Sequence, residues 1–136
     1  MLFRSLCGRG AYEVTPANGV AAISIFASGS EVEIALAARE LLEKHGHPTR
    51  VVSMPCFELF DKQSDDYRKK TIGNAPIKMA IEAGIRQGWD HLIGSDGIFV
   101  GMTGFGASGT IEQLYPHFGI TAEAAAKAAE ARLHAK

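Results

Sequence analysis

An apolar segment that runs directly into an amphipathic segment most strongly limits the folds open to this chain. Val20–Ala27 is almost entirely apolar, which is typical of a β-strand buried on both faces. After the loop Ser28–Ser30, residues up to about Lys44 repeat apolar side chains at the spacing of one helix face. Ser30 and Glu33 form the Ser-x-x-Glu capping pattern at the start of this helix. A buried strand followed by an amphipathic helix is the unit from which parallel sheets are built.

The rest of the chain continues this alternation. A weaker strand, Ala11–Thr15, precedes the first buried strand, and because only the turn cluster Pro16–Gly19 separates the two, we expect them to pair antiparallel. Gly46 is placed to end the first helix in a left-handed conformation. The sequence predicts an α/β fold with helices packed on a mainly parallel sheet. The further predicted strands are Arg50–Met54, Ile77–Glu82 and Ile98–Met102; the further predicted helices are Phe57–Phe60, Asp65–Lys70, Gly84–Leu92, Thr110–Tyr115 and Ala122 to about His134.

Length, composition and charge indicate how many domains the chain forms and which classes of partner it can bind. The 136 residues are 46% hydrophobic and 21% charged, proportions typical of one globular domain. The formal charge of −1 provides no broad positive surface, so we expect no nucleic-acid partner. No apolar stretch approaches the roughly 20 residues that cross a bilayer, so we expect no membrane partner. Cys7 and Cys56 are too few for a disulfide framework and predict reduced thiols in a cytoplasmic protein.

Two glycine- or serine-rich loops follow predicted strands and are candidate ligand sites. Gly104–Gly109 matches G-x-G-x-x-G, but the acidic residue that a dinucleotide site needs on a following strand is missing. The loop Ser28–Ser30 opens a helix and could hold a small anion, although Glu31 and Glu33 already place negative charge there. The favoured interpretation is a structural strand-to-helix bend for Gly104–Gly109 and a helix cap for Ser28–Ser30. A regulatory module that binds a small anion or nucleotide through both loops remains the alternative.

The sequence contains no complete set of catalytic or metal-binding residues. Cys56 lies near a predicted helix start, where a thiol can become reactive, but catalysis would need a histidine base beside it. A structural cysteine is favoured, and a hydrolase that uses Cys56 or Ser28 is the least favoured alternative. The mixed charges of residues 61–70 predict a solvated face. We predict no catalytic, cofactor-binding or metal-binding residue, because no metal-ligand spacing occurs among His45, His47, His91, His117 and His134.

Blocks of residues distributed along the chain resemble, in the same order, the C-terminal domain of the transketolase family. The resemblance begins near Gly8 and continues to the end, so we expect residues 1–8 to be a lead-in or linker remnant and 9–136 to be this domain. The resembling blocks are Arg9–Tyr12, Phe26–Ala35, Arg50–Cys56, Phe60–Gln63, Tyr67–Arg68, Glu82–Gly84, Trp89, Gly101–Ser108 and Phe118–Thr121.

The resemblance implies a fold and a larger enzyme. The expected fold is a three-layer α/β/α domain with a mixed, mostly parallel five-stranded sheet whose first strand is antiparallel. Whole transketolases transfer a two-carbon ketol unit between sugar phosphates in the pentose phosphate pathway. They use thiamine diphosphate and magnesium, bound between the first two domains of opposite subunits.

The same resemblance implies that this chain carries no catalytic residue, because the family's catalytic positions lie in the other domains. Gly94–Gly97 superficially resembles the family's Gly-Asp-Gly motif, but no asparagine follows it. We therefore expect a domain that is inert alone and serves as a scaffold and subunit contact. Its expected partners are the remaining transketolase domains or a second subunit. An exposed apolar patch is expected on the isolated chain, so a homo-oligomer is also possible.

Overall fold

A mixed five-stranded sheet forms the middle layer of the described part of the chain. The structure is a computed structural model, and it describes residues 10–28, 31–54, 57–82, 93, 97–101 and 122–134. The strand order is β1-β3-β2-β4-β5, with β1 antiparallel to β3 and the other neighbours parallel. The α/β class predicted from the sequence is confirmed. The elements in chain order are β1 (Tyr12–Thr15), β2 (Ile23–Ala27), α1 (Glu31–Lys44), β3 (Thr49–Ser53), α2 (Phe57–Asp61), α3 (Asp65–Ile72), β4 (Ile77–Glu82), β5 (Ile98–Gly101) and α4 (Ala122–His134).

The pairing of the first strand corrects the sequence prediction. β1 runs antiparallel as expected, but its partner is β3 rather than β2, with Tyr12 opposite Ser53. The reason is that β2 lies at the centre of the sheet and is hydrogen-bonded to β3 on one side and β4 on the other. Both edges of β2 are therefore occupied, and β1 takes the outer edge of β3. β2 also begins at Ile23, three residues later than predicted, and Val20 is 93% exposed.

Helices cover both faces of the sheet, which gives the three layers. Alternate residues of a strand point to opposite faces, so each buried strand contributes to two separate cores. On one face, sheet residues pack against α1 and α4; on the other, they pack against α2 and α3. The first core includes Ile23, Ile25, Val51, Met79, Ile81, Ala35, Ala38, Leu42, Ala125 and Ala129; the second includes Phe26, Val52, Met54, Phe60, Ala80 and Ile93.

The helix ends follow from local sequence signals. Gly46 has φ +85°, and the amides of Gly46 and His47 donate to the carbonyls of Glu43 and Leu42, so the predicted left-handed cap of α1 is confirmed. The helix α3 begins after Ser64, whose hydroxyl accepts a hydrogen bond from the Tyr67 amide at 3.2 Å. The α1 cap at Ser30 and the predicted helices 84–92 and 110–115 lie outside the described residues.

Candidate functional site

A buried arginine at the amino-terminal end of β3 organises the most polar part of the described fold. The Arg50 side chain is only 10% exposed. Its Nε donates to a Glu13 carboxylate oxygen at 2.7 Å, and its Nη1 donates to the carbonyls of Thr71 at 2.8 Å and Ile72 at 3.2 Å. The last carbonyls of a helix have no partner within the helix and carry partial negative charge. Arg50 therefore stabilises the C-terminal end of α3 while its own charge is paired with Glu13.

Gly73 allows the arginine to approach the helix end so closely. It follows α3 with φ +76°, a conformation that side chains with a Cβ rarely adopt. A Cβ at this position would lie 2.8 Å from Arg50 Nη1. A glycine is thus required here both by the backbone conformation and by the space that the guanidinium occupies.

A cleft of about 570 Å³ lies beside this cluster, and we call it the Arg50 cleft. Among the residues that the structure describes, its lining combines two cations, Arg50 and Lys70, with the carboxylate of Glu13. The Tyr67 hydroxyl forms part of the wall and is held in place by a 2.6 Å hydrogen bond to the Ala11 carbonyl. The cleft is open on one side and lined by Tyr12, Glu13, Arg50, Tyr67, Lys70, Thr71 and Gly73.

A second polar cluster, centred on Glu43, ties the end of α1 to the start of β3. The Glu43 carboxylate accepts hydrogen bonds from the Thr49 amide at 2.8 Å and from the Asn18 amide at 3.2 Å. The bond from Thr49, with smaller contributions from Asn18 and Arg39, lowers the pKa of Glu43 below its usual value. This cluster holds the turn before β2 against the helix, which is a structural role.

Two histidines and a carboxylate join α4 to the end of α1. His45 Nδ1 lies 2.8 Å from a Glu130 carboxylate oxygen, and His47 Nε2 lies 3.4 Å from the same oxygen. The hydrogen bond from His45, supported by the charges of both histidines, lowers the pKa of Glu130. Within the described residues, no group of three histidine, cysteine or acidic side chains is arranged to hold a metal ion.

Few of the residues singled out from the sequence come together in the described structure. His45 and His47 meet Glu130, a partner 85 residues from His45 that no sequence pattern indicated. The predicted solvated face at residues 61–70 is mostly exposed, with an ion pair between Asp65 and Arg68. His134 is the last residue of α4. The other residues singled out lie wholly or in part outside the described ranges: Cys7, Cys56, His91, His117, the Gly104–Gly109 loop and most of Ser28–Ser30.

Arg50 was not predicted as a site residue, because the sequence indicated only that it begins a predicted buried strand, Arg50–Met54. The available signal was a single arginine at the start of a strand that is otherwise buried. A charged side chain in such a position is buried only when it is paired, so it indicates a specific polar cluster.

No helix within the described ranges is both long and apolar enough to cross a membrane.

Comparison with known proteins identifies the family. The sequence profile described as "Transketolase-like TK C-terminal domain" matches residues 10–121. A transketolase of Sinorhizobium medicae is 56% identical over 84% of this chain and 16% of its own length. A transketolase of Cereibacter sphaeroides is 50% identical over 95% of this chain and 19% of its own length.

The solved structures agree with the sequence matches. Transketolase from Leishmania mexicana superimposes with a TM-score of 0.84 at 38% identity, covering 93% of this chain and 18% of that one. The chain therefore spans less than a fifth of the length of these relatives. The sequence and structural matches together show that this chain belongs to the transketolase family and corresponds to its C-terminal domain.

Proposed function

We propose that this chain serves as the C-terminal domain of an enzyme that transfers a two-carbon ketol unit between sugar phosphates. The observation that carries the proposal is the 50% identity to the Cereibacter sphaeroides transketolase over 95% of this chain. Because the same match covers only 19% of that relative, the proposed activity belongs to a larger protein or assembly. The pentose phosphate pathway and the cytoplasm are its proposed setting.

The proposal assigns thiamine diphosphate and magnesium to the other domains of that enzyme. Magnesium in such sites is held by oxygen ligands together with substrate or cofactor phosphates. The paired carboxylates of the described fold, Glu13, Glu43 and Glu130, are each engaged by an arginine, a backbone amide or a histidine. These contacts suit structural roles, and we derive no catalytic step from them.

The proposed contribution of this domain is structural. A sheet with buried strands and helices on both faces provides a rigid body against which the remaining domains or a second subunit can pack. Val20 and Leu59 are the large apolar side chains that the described residues expose, and the proposal takes them as candidate points of such contact. We also propose that the isolated chain self-associates as its concentration rises, which sedimentation velocity would detect.

A chimeric enzyme tests the proposed function. The first two domains of the Cereibacter sphaeroides transketolase would be joined to residues 10–136 of this chain. Ketol transfer from xylulose 5-phosphate to ribose 5-phosphate would be measured for the chimera, for the truncated relative without a third domain, and for this chain alone.

We expect transfer by the chimera and none by this chain alone. The truncated relative controls for activity that does not require a C-terminal domain. Transfer catalysed by the isolated chain would contradict the proposal. A folded chimera that binds thiamine diphosphate but transfers nothing would contradict it as well.

A further inference from the structure

We propose that the Arg50 cleft binds a small organic acid with one carboxylate on an aromatic or apolar body. The cleft lies at the amino-terminal end of β3, on the face covered by α3. It is therefore distinct from the loop Ser28–Ser30, which follows the carboxyl end of β2. The inference does not rest on the proposed function, because it concerns only groups within this chain.

Among the described residues, the lining of the cleft carries one more positive than negative charge. Glu13 pairs with Arg50 Nε, while Lys70 is exposed and forms no ion pair within the described residues. The Nη2 group of Arg50 likewise makes no hydrogen bond to the part of the chain that the structure describes. Two cations against one carboxylate match a ligand with a single negative charge. A carboxylate meets this condition better than a phosphate monoester, which carries nearly two negative charges near neutral pH.

The arginine is held in place before any ligand arrives. Its Nη1 contacts the carbonyls of Thr71 and Ile72, and the absence of a Cβ at Gly73 leaves room for the guanidinium. A side chain that is already fixed loses little conformational entropy on binding, which favours affinity. Because Nε and Nη1 are already engaged, Nη2 is the part of the guanidinium that donates to a carboxylate oxygen of the ligand.

The remaining walls suit the body of such a ligand. Tyr12 and Tyr67 bring aromatic rings to the cleft, and aromatic surface beside a few fixed polar groups is typical of small-molecule sites. The volume of about 570 Å³ lies within the range of roughly 300–1,000 Å³ found for ligand pockets. The cleft thus combines an anchored cation, an exposed cation and apolar surface.

Titration of the ¹⁵N-labelled chain with sodium benzoate tests the proposal. Amide shifts would be followed by NMR at constant ionic strength, with sodium chloride as the blank and inorganic phosphate as a second probe. We expect saturable benzoate shifts at Tyr12, Lys70 and Gly73, and weaker shifts with phosphate. The absence of saturable shifts at these amides overturns the proposal. Tighter binding of phosphate than of benzoate overturns the assignment to a carboxylate.

Two neighbouring lysines provide a matched pair of variants. Lys70 lines the Arg50 cleft, whereas the equally exposed Lys69 lines a different depression on the other side of α3. Lys70→Gln should weaken benzoate binding about two- to fivefold, the range expected for one exposed charge pair. Lys69→Gln should leave binding unchanged. Equal effects of the two variants would show only a general response to net charge and would refute the site.

A third variant should change affinity in the opposite direction. Glu13→Gln removes the negative charge that competes with the ligand, while the amide oxygen can still accept the hydrogen bond from Arg50 Nε. We expect benzoate to bind about two- to fivefold more tightly to this variant. Unchanged or weaker binding would contradict the charge balance on which the proposal rests. Circular dichroism spectra would be recorded for each variant to check that it is folded.

Discussion

Replacement of Gly73 by alanine should destabilise the protein through Arg50. At φ +76° and ψ −175°, Gly73 occupies a region that is essentially restricted to glycine, and placing alanine there costs about 1–3 kcal/mol. The new Cβ would also lie 2.8 Å from Arg50 Nη1, so the guanidinium must move away from the Thr71 and Ile72 carbonyls. Loss of a hydrogen bond to a charged group adds about 1.5–3 kcal/mol. We expect a total loss of about 2.5–6 kcal/mol.

Gly46 provides the matched control for this substitution. It also has a positive φ, +85°, but a Cβ there would meet no atom within 4 Å. Gly46→Ala should therefore cost only the conformational strain, about 1–2 kcal/mol. The difference between the two variants contains the contact with Arg50 together with any difference in backbone strain, and an Arg50→Met background separates the two.

Urea unfolding followed by circular dichroism measures both free energies of unfolding. For a chain of this length, 1 kcal/mol corresponds to about 3–5 °C in Tm, so thermal scans should separate the variants clearly. In an Arg50→Met background, the destabilisation by Gly73→Ala beyond that by Gly46→Ala should largely disappear, because the methionine side chain can move away from the new Cβ. The reasoning is refuted if Gly73→Ala destabilises no more than Gly46→Ala, or if the excess persists without the guanidinium.

Two further predictions concern the carboxylates that join α1 to its neighbours. Glu43→Ala leaves the Thr49 amide without its partner and should cost about 1–3 kcal/mol in urea unfolding, whereas the exposed Glu40→Ala should cost less than about 0.5 kcal/mol. Comparable losses would contradict the role given to Glu43. The hydrogen bond from His45 lowers the pKa of Glu130 below 4.5. The ionised Glu130 carboxylate therefore stabilises the fold above pH 4.5, and this stabilisation is lost as pH falls through the folded-state pKa. The midpoint of urea unfolding should fall less between pH 6 and pH 3 in Glu130→Gln than in the parent, and equal slopes would contradict this assignment.

The features that the sequence predicted correctly are those that depend on nearby residues. The bounds of α4, the strand β4 and the left-handed cap at Gly46 follow from spacing and residue type within one segment. The features that were missed join distant parts of the chain. Glu13 and Arg50 are 37 residues apart, and no local pattern indicates that they meet.

The wrong partner for β1 has the same physical origin. A short turn between two strands favours a hairpin, but the choice of neighbour also depends on what the later strands bury. β3 and β4 both pair with β2, so the centre of the sheet is filled by strands that appear later in the sequence. The identity of each strand was therefore predictable from local residues, whereas their order in the sheet was not.

The stability and binding experiments separate two roles of Arg50. If Arg50 only stabilises the end of α3, Gly73→Ala will reduce stability, but the Lys70→Gln and Glu13→Gln variants will leave benzoate binding unchanged. If Arg50 also recognises a carboxylate, these two variants will shift affinity in opposite directions, although Glu13→Gln also weakens an ion pair that supports the fold. The distinction is possible because Nε and Nη1 make the structural contacts, while the binding role is assigned to Nη2 and Lys70. Opposite shifts in affinity that do not follow the changes in the free energy of unfolding would therefore show that the same side chain holds the fold together and presents a charge to a ligand.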